Sequence, residues 1–210
     1  MIDQEPAQYL KKKILSKLYS SEFLDATANE VDNFVLEFPI IDKEKLREQL
    51  DALQHSGLIE NKIGRLSLTA KGRGLITVVM TGGSFDIIHP GHVETLEKAK
   101  SLGDVLVVSV ARNSTFIKNK KRNPLHDERL RKKLVSSLRS VDVAVLGSEV
   151  DIFETAILLK PDIVALGYDQ SHNEAGIQEE LKKRGLQTQV VRLDSSVPEI
   201  KSSRIALDYY

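Results

Sequence analysis

The sequence predicts an α/β protein in which a parallel-sheet domain follows a small, mostly helical one. Two observations carry this. From residue 75 onward, short apolar runs such as 75–80 and 104–110 alternate with helical patterns such as 90–102. That alternation builds a parallel sheet with right-handed crossovers. Before residue 75, apolar residues recur three times at helical spacing and then flank a turn. The boundary gives domains of 1–74 and 75–210.

In the first domain, Tyr9, Ile14, Leu15 and Leu18 mark a first helix. Residues 29–38 carry a shorter pattern that Pro39 ends. A third helix starts after Asp42, a suitable N-cap, and puts Leu46, Leu50 and Leu53 on one stripe before Gly57. Residues 58–60 and 65–69 flank Asn61-Lys62-Ile63-Gly64 as a hairpin. Three helices and a hairpin resemble a winged-helix domain, with 42–56 as its reading helix. Charge weighs against nucleic acid as the partner. Acids slightly outnumber bases over 1–75, and Lys43, Lys45 and Arg47 interleave with Glu44, Glu48 and Asp51. Non-specific DNA affinity comes mostly from neutralising phosphates, so a packing, dimerisation or docking module is the favoured reading. The run Lys11-Lys12-Lys13 reads as a solvated face.

In the second domain, strands are expected at 75–80, 104–110, 142–146, 162–166 and 188–193. Helices are expected at 90–102, with Val93, Leu96 and Ala99 inward, and at 125–138, 152–159 and 174–184. His126 or Asp127 is the candidate cap of the helix at 125–138, and a short helix follows near Ser202. Residues 113–124 read as a polar, basic loop. Strand 104–110 is apolar on both faces, as in a sheet covered on both sides. Ligands of such sheets bind at the carboxyl ends of the strands.

Composition narrows the chemistry. Formal net charge is zero with 29% charged residues, so there is no global pull toward nucleic acid or membrane. Cysteine is absent, which excludes disulfides, thiolate metal sites and thiol nucleophiles. No apolar run approaches the ~20 residues of a membrane span, and the first residues lack a signal-peptide pattern. A soluble, cytoplasmic protein is expected.

The stretch Thr81-Gly82-Gly83-Ser84-Phe85-Asp86-Ile87-Ile88-His89-Pro90-Gly91-His92 joins the first strand of this domain to its first helix. Two glycines let the backbone approach a ligand closely. His89 and His92 share a face at the helix start, and Pro90 suits the first helical position. Free amides and the positive dipole end there favour a phosphate. Amides of Ser84 and Phe85 suit the same role, with the Phe85 ring as a core anchor. Asp86 either braces the loop or touches substrate. A metal site needs a third ligand and only Asp86 is near, so no protein metal ligand is assigned. Spaced glycines of a dinucleotide fingerprint and a Gly-Lys-Ser/Thr P-loop are both missing. The segment from Arg112 to Arg139 is strongly basic, with Asp127 and Glu128 as its acids. Lys118 and Arg131 within it suit a polyphosphate. Asp169 or Gln170 after Gly167 could bond a base or ribose, and Ser202-Ser203-Arg204 could form a second phosphate cradle.

At these residues a family resemblance enters. The segment 83–92, with His89-Pro90-Gly91-His92, is similar to the His-x-Gly-His signature of the cytidylyltransferase-like nucleotidyltransferase superfamily. Residues 200–205 resemble its C-terminal Ile-Ser-Ser-Thr-type motif, with Lys201 and Ser203 at the changed positions. The resemblance spans about 76–205, and within the superfamily it lies nearest to archaeal FAD synthetases, then to glycerol-3-phosphate cytidylyltransferases. Asn113 stands where Asp is typical, Gln170 stands where the cytidylyl branch has Trp, and the C-terminal cysteines of many archaeal relatives are missing.

The resemblance implies a Rossmann-like nucleotidyltransferase that transfers a nucleotidyl group directly and releases pyrophosphate. ATP and FMN are the implied substrates. The alternative is CTP with a polyol phosphate, and a winged-helix regulator that senses a nucleotide is the reading from another class. Mg2+ is implied with the triphosphate, and the partner is a second copy in a homodimer. His89, His92, Lys118 and Arg131 are the implied catalytic residues. Gly83, Ser84, Phe85, Gly91, Asp169, Ser202, Ser203 and Arg204 are the implied nucleotide contacts.

Overall fold

The computed structural model describes residues 4–24, 30–168, 170 and 173–195. The chain divides into two compact units, Met1–Ile76 and Thr77–Tyr210.

The first unit holds α1 (Gln4–Ser21), α2 (Val31–Leu36) and α3 (Lys43–His55), followed by β1 (Ile59–Lys62), β2 (Arg65–Leu68) and the short α4 (Ala70–Arg73). Ile14, Leu15 and Leu18 of α1 are buried, whereas Tyr9, expected on the same stripe, is exposed and lies under the Lys13 ammonium. Asp42 caps α3 by accepting from the amides of Glu44 and Lys45 at 3.0 and 3.1 Å. Leu46, Leu50 and Leu53 then form its buried stripe. β1 and β2 pair antiparallel from Ile59↔Leu68 to Lys62↔Arg65. Ile63 and Gly64 between them have φ of 56° and 78°, the two left-handed residues of a type I′ turn. α4, which no apolar pattern announces, is made by Thr69. Its hydroxyl accepts from the Gly72 amide at 3.1 Å, and a Cβ at Gly72 would meet the Leu58 carbonyl oxygen at 2.0 Å.

The second unit is a five-stranded parallel sheet of β3 (Val78–Gly83), β4 (Val105–Val110), β5 (Val143–Leu146), β6 (Ile163–Leu166) and β7 (Gln189–Arg192), in the order β5-β4-β3-β6-β7. The connections are α5 (Pro90–Ser101), α6 (Asn113–Lys120), α7 (Glu128–Ser136), α8 (Ile152–Leu159) and α9 (Glu174–Lys183). Alternation along β3 sorts the faces. Val79 packs with Leu96 and Ala99 of α5 and Val135 of α7, whereas Met80 lines a small apolar space with residues of α8 and α9. β4 is buried along its whole length, which explains its uninterrupted Val-Leu-Val-Val. At the amino ends of the strands, three aspartates repeat one device. Asp104, Asp142 and Asp162 accept from the amides of Thr77, Leu106 and Val78 at 2.8, 2.6 and 2.6 Å, pinning each strand to its neighbour.

Some expectations for this unit change. The first strand begins at Val78 rather than residue 75, because Leu75 and Ile76 complete the turn after α4 through bonds to Gly72 and Arg73 carbonyls. It also runs on through Gly82 and Gly83, paired with Ser109 and Val110. Residues 113–120 are a helix rather than a loop: Phe116 is its buried anchor, and Ser114, Lys118, Asn119 and Lys120 face outward. Val93 lies at the surface while Leu96 and Ala99 face in. The helix expected near Ser202 falls outside the described residues.

Candidate active site

The chain leaves β3 toward β4 and β5, then returns to the opposite side of β3 for β6 and β7. The switch point therefore lies between the carboxyl ends of β3 and β6, where open α/β sheets bind ligands. Glycines sit at both ends. A Cβ on Gly82 would come 3.3 Å from the Ser109 carbonyl oxygen, and one on Gly83 would come 2.9 Å from the Phe85 ring. No side chain fits at Gly83 unless that ring moves.

Past Gly83 the chain turns sharply. Phe85 takes a left-handed φ of 51° and buries its ring, whose centroid is 5.3 Å from that of His92. Phe85 thus serves as the core anchor expected of it. The His89 and His92 rings lie 3.9 Å apart at 41°, with both Nδ1 atoms buried. His89 is the N-cap of α5, Pro90 follows it, and Gly91 is buried in the first turn. No side chain caps α5, and its first turn carries no acid. The neighbouring helix starts differ. Asp127 caps α7, Asp151 caps α8 and Asn173 caps α9, while the first amide of α6 is taken by Glu128 Oε2 at 2.7 Å. Among the described helices of this unit, α5 alone presents its positive end without a carboxylate or amide side chain at it.

The basic segment divides into side chains spent on the protein and side chains facing solvent. Arg131 was expected to hold phosphate, and its placement corrects that. The residue is 0% exposed. Its Nε donates to the His126 carbonyl at 2.9 Å, Nη1 to the Ser84 carbonyl at 2.5 Å and Nη2 to Asn113 Oδ1 at 2.9 Å. The Phe116 ring lies under the guanidinium. Burial pushes its pKa down, opposed by the nearby charges of Asp86, Glu128 and Asp127. Asp86, 3% exposed, braces the loop. It accepts from Arg122 Nη1 at 3.0 Å and from the amides of Leu125 and His126 at 2.8 and 3.2 Å. Arg112 donates to the Gly147 carbonyl and to Glu128 Oε1. The Asn113 amide, ahead of Arg112, holds the Glu128 carboxylate below its ordinary pKa. Lys118 lies exposed in the last turn of α6, about 7.5 Å along the axis from Asn113.

At the other lip, Gln170 is also spent on the protein rather than open to a base or ribose. Its Nε2 donates to the Gly82 carbonyl at 2.8 Å and its Oε1 accepts from the Gly167 amide at 3.3 Å. Arg192 locks that turn through the carbonyls of Gly167 and Gln170 and through Glu174. Asp169, Ser202, Ser203 and Arg204 fall outside the described residues. The bracing roles of Glu128 and Arg192 escaped the sequence reading. An acidic pair, Asp127-Glu128, inside a basic run was the available signal for Glu128; Arg192 left none.

A histidine pair over an open helix start, with glycines below and a lysine on the next helix, can bind and polarise a phosphate. The family model described as cytidylyltransferase-like matches residues 80–207. The chain belongs to that family. The chain is similar to curated relatives named FAD synthase. The protein of Methanothrix thermoacetophila is 51% identical over 63% of this chain and 92% of its own. That of Archaeoglobus profundus is 53% identical over 57% of this chain and 75% of its own. Among solved structures, one described as a lipopolysaccharide core biosynthesis protein from Thermoplasma volcanium GSS1 is 46% identical. It covers 57% of this chain and 98% of its own, with a TM-score of 0.55. The family model begins at residue 80, so the helical unit lies outside it. No helix among the described residues is long and apolar enough to cross a membrane.

Proposed function

We propose that the protein is an ATP:FMN adenylyltransferase that forms FAD and pyrophosphate. The observation that carries phosphoryl chemistry is the His89–His92 pair over the uncapped start of α5 at the switch point. The likeness to archaeal FAD synthases at about half identity supports ATP and FMN as the substrates.

In this reading a phosphate oxygen of FMN attacks the α-phosphorus of ATP. The bond from that phosphorus to the bridging oxygen breaks, and pyrophosphate leaves on the opposite side. The acceptor needs no base, because a phosphomonoester is largely dianionic at neutral pH. The protein contributes placement and charge stabilisation. His89 and His92 donate to the α-phosphate oxygens as charge builds there, and the amides at Gly91 and in the Ser84–Phe85 loop accompany them. Gly83 keeps the wall low enough for the nucleotide to approach. Lys118 neutralises the α-phosphate or the acceptor phosphate. Ser202, Ser203 and Arg204 hold the departing pyrophosphate, and Asp169 sits by the base or ribose. Transferases of this kind commonly use a divalent metal. Among the described residues no three acids or histidines gather into a metal cage; in this proposal Mg2+ would come with the triphosphate. Such an ion would offset phosphate charge, while the residues named above place the reacting groups.

The first unit serves in this proposal as a winged-helix-like packing, dimerisation or docking module of a cytoplasmic homodimer, its boundary two residues past the expected 74, after Ile76. The test is pyrophosphate release with ATP or CTP, each offered FMN or glycerol 3-phosphate. Release with ATP and FMN is expected. Release only with CTP and the polyol phosphate would sink the flavin reading.

A further inference from the structure

Asn113 sits between groups of opposite hydrogen-bonding character. Its Oδ1 accepts from Arg131 Nη2 at 2.9 Å, and its Nδ2 donates to Asp127 Oδ2 at 2.9 Å. Its backbone amide donates to Glu128 Oε2 at 2.7 Å. A guanidinium can only donate and an ionised carboxylate can only accept. The residue linking them must therefore accept at one end and donate at the other, which an amide does and an aspartate cannot. The pKa of Asp127 is lowered, first by the Arg129 amide and next by the Asn113 side chain, so Asp127 is ionised at neutral pH. An aspartate at 113 would set two carboxylate oxygens about 2.9 Å apart, where like charges repel strongly.

The link reaches the loop that carries the histidines. Arg131 donates to the Ser84 carbonyl, and Ser84 precedes the left-handed Phe85, whose ring faces His92. α6 and α7 are thereby joined at their starts and together hold the Ser84 carbonyl.

We propose that Asn113 and Asp127 form one coupled positioning unit: the asparagine at 113 is there because residue 127 is an aspartate, and the pair fixes Arg131 and through it the Ser84–Phe85 turn beneath the histidines. With Asp127 in place an amide at 113 satisfies both neighbours.

The proposal rests on the adenylyltransferase reading for its activity readout, and a swap tests it. Asn113→Asp should lower kcat about tenfold, equivalent to about 1.4 kcal/mol, with KM for ATP changed less than about twofold, and should lower the melting temperature. Asn113→Asp combined with Asp127→Asn re-creates a donor facing an acceptor with the polarity reversed, and asparagine still caps α7. The double variant should return kcat to within about twofold of wild type, and Asp127→Asn alone completes the cycle. If Asn113→Asp fails to fold, recovery of a cooperative melt in the double variant is the rescue. Additive single effects, or wild-type behaviour of Asn113→Asp, would overturn the coupling. Histidine ring NMR signals of the same proteins report loop placement without turnover. A wild type that transfers nothing to FMN would remove the functional reading, while loss of the His89 and His92 shifts in Asn113→Asp and their return in the double variant would still support the coupling.

Discussion

His92 and Arg131 show how residues of similar promise part company once folded. His92 packs on Phe85 and His89 at the open start of α5, where a phosphate oxygen can meet it. Replacing His92 by Ala should lower turnover about a hundred- to thousand-fold, the usual cost of one preorganised donor of roughly 2.7–4 kcal/mol, with the melting temperature little changed. Steady-state kinetics beside a thermal melt checks this, and near-normal turnover would remove His92 from the reaction. Arg131, by contrast, spends all three nitrogens on protein acceptors. Its charge and its place in a basic run were legible in the sequence; its burial was not. Glu128 yields a pH prediction. Its pKa lies below the ordinary 4.5, chiefly through the Asn113 amide, with Arg112 adding to it. A depressed carboxylate contributes stability that is fully present above its unfolded pKa and is lost as pH falls through the folded one. The stability gap between wild type and Glu128→Gln should thus be widest above the ordinary carboxylate range and shrink as pH falls through the depressed pKa of Glu128. A gap that widens on acidification would contradict the clamp.

At the scale of elements, the hairpin offers the cleanest energetic test. Ile63 is fully exposed at the turn with a φ of 56°, a conformation that costs a β-branched residue roughly 1–2 kcal/mol. Ile63→Asn, giving the Asn-Gly pair that type I′ turns favour, should stabilise the first unit by about 1 kcal/mol; a denaturant melt showing no gain would count against strain there. Elements with strong periodicity, α3, α5 and α8 among them, were readable because burial selects apolar residues at fixed intervals. α6 was not, because it buries only Phe116 among its eight residues. α4 was not, because it depends on the Thr69 cap and on a glycine pressed against the Leu58 carbonyl, neither of which leaves a pattern.

At the scale of the whole chain, two units carry different expectations. The balanced charge of the first gives little to neutralise a phosphate backbone. An operator-sized DNA duplex should therefore not shift with the protein at low salt, and a clear shift would restore the regulator reading. The sequence alone determined the α/β class, the succession of strands and the glycine-flanked histidine pair, since each depends on local pattern and chain order. Only the tertiary structure decided which charged residues face solvent and which brace the loop. Asp86, Asn113, Glu128 and Arg131 come from three separate stretches of chain, and their hydrogen bonds exist only when the starts of α6 and α7 meet the end of β3. Those contacts cross the fold, and residue spacing along the chain carries no record of them.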